Sequence, residues 1–484
     1  MYISKSIVAI LGIFAIFCIF VAVMLGGTVE GEPRLPALRA VFIIFAITLI
    51  GVSIFHHQTL YVSLVGLVSV VLMKEMFVPD FQVLEHAWHE WRILVNLFGL
   101  IIGFGILAKH FEESHAPSHM PRILPDDWRG GFVLLLMVFI MSGILDNIAA
   151  AMIGGAIAAT VFKDKVDIGF LAAIVATSNA GGAGSVLGDT TTTMMWISGI
   201  SPWTVLPAFV AAIPAFLIIA VIGAKKQHRY QPIQKDNEAP KDIDWKKIGV
   251  VGLVLVGAIV TNVWLDFPAL GVWVAIIVGS LFVATPWREI KESYSGSLFL
   301  TALVFSASMM PVNDLPEASW VTALILGLVS SVFDNIPLTK LALDQGGYDW
   351  ALLAYAVGFG GSMVWFGSSA GVALSNIFPQ ARSVGAWIKH GWFVPVAYFV
   401  GFFVMFGLLG WNPSDIPQEE SEQAEEHAQY VGDFRHVLDA LPEHSGERGN
   451  AVAWGDWAAA PFSFFHVVLP PGRDMFFQQH LSGD

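Results

Sequence analysis

Long apolar runs dominate the chain. Ile7 to Leu25, Leu38 to Phe55, Leu60 to Met73, Ile93 to Ala108, Trp203 to Gly223, Ile248 to Trp264, Leu270 to Ala284 and Phe393 to Trp411 are apolar over most or all of their length. A helix needs about 20 such residues to cross the hydrocarbon of a bilayer, so the pattern predicts roughly ten to twelve membrane-embedded helical elements, the shorter ones half-helices. Ile7 to Leu25 can also be read as a secretory leader, but its core is long for one and no small-x-small cleavage site follows, so a first transmembrane helix is expected.

Two apolar stretches are interrupted by acid. Phe132 to Phe162 is apolar except for Ser142, Asp146, Asn147 and Thr160. A straight helix of that length would run ~46 Å through ~30 Å of hydrocarbon. The chain is therefore expected to bend, as a re-entrant hairpin or broken helix with Asp146 and Asn147 at its tip. Ser319 through Leu343 carries the same feature at Asp334 and Asn335, where Pro337 is expected to break the helix. Irregular backbone at membrane depth is tolerated only when buried in protein or lining a wet cavity, so both tips are expected to face a shared one.

A third polar stretch, Ser178 to Trp196, reads SNAGGAGSVLGDTTTTMMW. Its glycines, Gly181, Gly182 and Gly188 among them, are expected to let the backbone unwind and expose carbonyls, while Thr190 and Thr191 add hydroxyls beside Asp189. These are hard oxygen ligands, suited to Na⁺ or H⁺. Burial disfavours the charged form of a carboxylate, which lets it hold a proton and exchange it for sodium. The plainer alternative for single glycines and threonines is close helix packing and bonding to their own helix. Asn147, Asn179 and Asn335 can equally serve as interhelical glue, and Lys340 can pair with Asp334 and make that acid structural.

The motifs recur. SGILDNIAAAM (Ser142 to Met152) precedes the glycine-threonine stretch, and SSVFDNIPLTK (Ser330 to Lys340) precedes GFGGSMVWFGSSAGVALSN (Gly358 to Asn376). Gly181, Gly182 and Gly188 fall on Gly360, Gly361 and Gly367 at a constant offset of 179, Asp189 falls on Ser368, and the Asp-Asn-Ile triplets are 188 apart. Paired repeats with polar interruptions point to a transporter whose site lies between its halves. The expected organisation is N-terminal scaffold helices over 1–130, a first repeat core over 131–223, a basic loop over 224–247, a second repeat over 248–411 and an acidic soluble tail over 412–484.

Composition supports this picture. Of 484 residues, 55% are hydrophobic and 13% charged, and the mean hydropathy is +0.67, the profile of a polytopic membrane protein in a lipid bilayer. The net charge of −14 is mostly the tail's, since residues 412–484 hold thirteen Asp/Glu and three Arg, a balance of −10 that leaves −4 for the rest. Seven Lys/Arg between Lys225 and Lys247 predict a cytoplasmic loop. The single cysteine, Cys18, excludes an internal disulfide. No Walker sequence is present and no nucleophile, base and orienting acid share a recognisable spacing, so neither ATP drive nor an enzyme is expected, and nothing suggests nucleic acid or a cofactor beyond the transported ions.

At these motifs the sequence resembles the ion transporter superfamily, and most closely its NhaD-type sodium/proton antiporters. The matching stretches are DNIAAAM at Asp146, SNAGGAGSVLGDTTTTMMWISG at Ser178, DNIPLTK at Asp334 and AYAVGFGGSMVWFGSSAGVALSN at Ala354. The resemblance implies an all-α fold of two inverted repeats, each with a re-entrant hairpin and a discontinuous helix, and a homodimer. It implies that Asp146, Asn147, Asn179, Asp189, Thr190 and Thr191, with Ser368 and Ser369, surround the cation, and Na⁺ is expected at Asp146 and Asp189. Where that family usually has threonines after the first Asp-Asn, this chain has Ala149, Ala150 and Ala151. The expected function is Na⁺(Li⁺)/H⁺ antiport driven by the proton gradient across a bacterial-type inner membrane. The alternatives are a sodium-coupled di- or tricarboxylate symporter of the same superfamily and a channel or arsenite-type efflux component.

Overall fold

Inside hydrocarbon each backbone N–H and C=O must be bonded within the protein, which leaves an apolar chain little choice but helix. The computed structural model describes residues 35–55, 58–78, 81–234, 242–312 and 315–414, and its regular structure there is entirely helical. The expectations for Ile7 to Leu25, for Cys18 and for the tail from 415 onward lie outside the described residues.

The first helices are α1 (Leu35–Ile54), α2 (Thr59–Phe77), α3 (Val83–Glu113) and the short α4 (Ala116–Ile123). Four shorter ones follow: α5 (Trp128–Ser142), α6 (Asn147–Val161), α7 (Ile168–Gly182) and α8 (Thr190–Ile197). The turn α9 (Pro202–Val205) leads into α10 (Phe209–Tyr230). Beyond the basic loop come α11 (Trp245–Leu265), α12 (Pro268–Ser280) and α13 (Arg288–Ser308). A second set of four follows, α14 (Trp320–Ser330), α15 (Asn335–Gln345), α16 (Trp350–Gly360) and α17 (Ser369–Ile377), and then α18 (Val384–His390) and α19 (Phe393–Leu409).

By length and apolarity α2, α3, α11 and the run Pro202–Tyr230 can each cross a membrane, and α18 and α19 are apolar enough together but meet at a 61° bend, the shape of a broken span or of a re-entrant loop. Helices α5, α6 and α7 have 15 residues each, ~22 Å, which is short of the ~30 Å hydrocarbon. Phe132 to Phe162 is accordingly not one straight helix, for it breaks between Ser142 and Asn147. The apolar faces that remain exposed, such as Val256, Ile259, Val263 and Trp264 on α11, suit lipid.

The two most enclosed helices are counterparts: α7 is buried from Gly169 through Gly182 and α16 from Trp350 through Gly360. A helix apolar on every side belongs in the middle of the protein. The paired segments also share local geometry. Asp146 and Asp334 cap α6 and α15 at φ/ψ −53°/145° and −57°/140°, and Asp189 and Ser368 cap α8 and α17 at −146°/141° and −138°/151°. Ser142 Oγ donates to the Ser178 carbonyl at 2.5 Å, and Ser330 Oγ donates to the Val357 carbonyl at 2.7 Å.

One expectation about chain-breaking residues is corrected. Pro337 does not break a helix: it occupies the first turn of α15, where its missing N–H would have no intrahelical partner anyway. Gly181 and Gly182 close α7, the chain is non-helical from Ala183 through Asp189, and Gly360 ends α16 before a 3₁₀ turn at Gly361–Met363. Gly181 and Gly360 also serve close approach. A Cβ on Gly181 would fall on the carbonyl of Phe139, and one on Gly360 on the carbonyl of Gly327, its counterpart.

Candidate functional site

A helix start leaves backbone N–H groups without partners, and in an apolar surrounding a side-chain acceptor must supply them. Four such starts carry the polar residues singled out above. Asp146 Oδ2 accepts from Ile148 N at 3.3 Å, Asp334 Oδ1 from Ile336 N at 3.0 Å, and Ser368 Oγ from Gly371 N at 3.3 Å. Asp189 Oδ1 reaches Thr191 N at 3.5 Å.

Side chains join these starts. Asn147 Nδ2 donates to Asp189 Oδ1 and to Asn179 Oδ1, both at 3.0 Å. Asn335 Nδ2, from the other half, reaches the same Asp189 Oδ1 at 3.5 Å, and Thr190 Oγ1 reaches it at 3.4 Å. Asn179 Nδ2 donates to Ser362 Oγ at 2.9 Å. Ser369 Oγ donates to Asp334 Oδ2 at 3.3 Å.

Asp189 is 1% exposed, and its second oxygen, Oδ2, accepts no hydrogen bond among the described residues; nor does the buried Thr191 hydroxyl find a partner. Burying a carboxylate is costly unless it is paired, and Oδ2 is the acceptor of this network that the protein's own donors leave open. The arrangement thus brings Asn147, Asn179, Asp189, Thr190 and Asn335 into one network. Asp146 and Ser368 cap neighbouring helices without a direct bond to Asp189. Thr192 and Thr193 bond to the carbonyls of Asp189, Ser185 and Val186 and close the loop before α8.

Lys340 does not neutralise Asp334. It pairs with Glu90 of α3 at 3.0 Å and with Asp344 at 2.7 Å, one turn along its own helix. Ser362 and this ion cluster were not anticipated. Ser362 was findable, since the 179-residue offset sets it opposite Ala183, just past the paired glycines. Glu90 carried no such signal.

The helices and their apolar faces define an integral membrane protein. No family model matches the chain. In sequence it is similar to NhaD-type sodium/proton antiporters. It is 26% identical over 425 residues to Sodium/proton antiporter 1 of Arabidopsis thaliana, covering 75% of this chain and 72% of that protein. It is 25% identical over 350 residues to the Na(+)/H(+) antiporter NhaD of Alkalimonas amylolytica, covering 60% of this chain and 70% of that one. The NhaD of Vibrio parahaemolyticus matches at 25% over 345 residues, 59% of this chain and 76% of that one. These relatives carry transporter names, not enzyme names.

Proposed function

We propose that this protein is a secondary active antiporter that expels Na⁺, or Li⁺, in exchange for protons moving down their gradient. The observation that carries the reading is the buried Asp189, steadied at Oδ1 by amides from both halves and left without a donor at Oδ2. Such a carboxylate is neutral with one proton or with one Na⁺ on Oδ2 and unfavourable with neither, so the two cations replace one another. Asp146 shares the cation and the protons, while Asp334 and Asn335 form the matching tip. The names of the relatives support the same exchange.

In this reading α5 to α8 and α14 to α17 are inverted repeats, each a re-entrant hairpin followed by a discontinuous helix. They form a unit that carries the ion past a scaffold built from the other helices. The loop 224–247 lies in the cytoplasm, the membrane is a bacterial-type inner membrane, and the protein works as a homodimer.

The test uses everted vesicles and a pH-sensitive dye. Adding Na⁺ dequenches the dye with the wild type, and Asp189→Asn abolishes the response. Sodium-dependent accumulation of labelled succinate or citrate with a silent dye would instead establish a carboxylate symporter.

A further inference from the structure

We propose that Gly358 makes the room for the cation beside Asp189 and thereby sets the discrimination between sodium and lithium. This rests on the reading of Asp189 as the ion carrier. The constant offset that sets Gly181 on Gly360 sets Asn179 on Gly358. In the first half that position holds an amide, engaged by Asn147 and Ser362. In the second half it holds no side chain.

Nothing in the backbone calls for glycine there. Gly358 lies within α16, outside the positive-φ residues, and glycine weakens a helix interior relative to alanine. Nor does it admit a crossing helix, as Gly360 does. A Cβ at 358 would lie 2.7 Å from Asp189 Oδ2 and 3.9 Å from Asp189 Cγ, and outside its own helix these are its only neighbours within 4 Å among the described residues. The missing side chain therefore clears space for one group, the buried oxygen that accepts no hydrogen bond. A hard cation bound to Oδ2 occupies the volume that a methyl at 358 would take. Sodium, the larger ion, uses more of that volume than lithium.

The experiment compares wild type with Gly358→Ala in everted vesicles titrated with NaCl and with LiCl. In parallel, the purified full-length proteins are melted in detergent over the same salts, with choline chloride as control. Gly358→Ala is expected to raise the Na⁺ KM about tenfold and the Li⁺ KM about threefold or less, an overpacking effect. It is also expected to lose most of the Na⁺-dependent rise in melting temperature. The melting series needs no transport. If wild-type vesicles are silent while Na⁺ still stabilises wild type and not Gly358→Ala, the antiport reading fails and the role of Gly358 stands. Unchanged KM values with unchanged stabilisation overturn it, and equal loss of both ions in a variant that melts normally overturns the discrimination by size. Should the variant not fold, carbodiimide labelling of Asp189 in wild type, read by mass spectrometry, decides: Na⁺ and Li⁺ protect Asp189 and choline does not. Labelling indifferent to Na⁺ overturns the assignment.

Discussion

Asn147 and Asn335 stand 188 residues apart and donate to the same oxygen, Asp189 Oδ1, at 3.0 and 3.5 Å. Each opens a helix behind an aspartate that caps it, so two paired helix starts meet at one carboxylate.

The two bonds differ in length, and their loss should differ in effect. A hydrogen bond to a charged group is worth about 1.5–3 kcal/mol, so Asn147→Ala is expected to lower the sodium-dependent dequenching rate at limiting Na⁺ roughly tenfold to a hundredfold. Asn335→Ala, at the edge of bonding distance, should lower it less than about fivefold. Equal losses would mean that the Oδ1 bonds are not what the asparagines supply.

Under the proposed exchange, proton and sodium compete for one oxygen, so the apparent KM for Na⁺ should depend on pH with a definite sign. As pH rises the proton leaves Asp189 more readily and the KM falls, by up to about tenfold per unit, then levels off once the site is deprotonated. Dequenching rates measured against Na⁺ at a series of symmetric pH values give this curve. A KM that is flat across the working range would rule out competition at a shared group.

Lys340 holds two acids inside the protein: its side chain is 3% exposed and that of Glu90 9%. Lys340→Met leaves those carboxylates without their partner and is expected to destabilise by about 3–5 kcal/mol. Thermal unfolding in detergent should register a lower midpoint, and adding Glu90→Gln with Asp344→Asn should restore most of it. If Lys340→Met melts like wild type, the cluster does not hold α15 to α3.

Gly181→Ala and Gly360→Ala should fail in the same way, since each Cβ falls on a main-chain carbonyl that cannot turn aside. A loss of about 1–3 kcal/mol is expected for each, seen as reduced melting temperature. Gly252 in α11 has nothing within 4 Å of its Cβ position, so Gly252→Ala should be neutral or stabilising by up to about 1 kcal/mol. Unequal effects at Gly181 and Gly360 would count against equivalent packing in the two halves.

The breaks and the acids beside them were legible in the sequence, because an aspartate in the middle of an apolar run has few places to go. Asp146, Asp189 and Asp334 each prove to be the cap of a helix start. The glycines were harder. Freedom of backbone and closeness of approach leave the same letter, and only the fold reveals that Gly181 serves the second. Pro337 misleads because its effect depends on its distance from the start of the helix, which the sequence leaves open by a few residues. Lys340 lay six positions from Asp334, and its partner Glu90 comes from 250 positions earlier, a pairing no local pattern displays. Asp344, four positions along, was the usable clue.

The four helix starts that meet through Asn147, Asp189, Asn335 and Ser369 have an electrostatic consequence. Each start behaves as roughly half a positive charge, so the backbone alone is a trap of about +2, suited to anions. Three aspartates and one serine, Ser368, cap those starts. With the acids ionised the balance is about −1, which one monovalent cation neutralises. A fourth aspartate in place of Ser368 would call for a second ion. Serine in place of the aspartates would return the scaffold to attracting carboxylates. Under the proposed function, the polarity of the cargo is therefore a matter of four capping positions on an unchanged backbone.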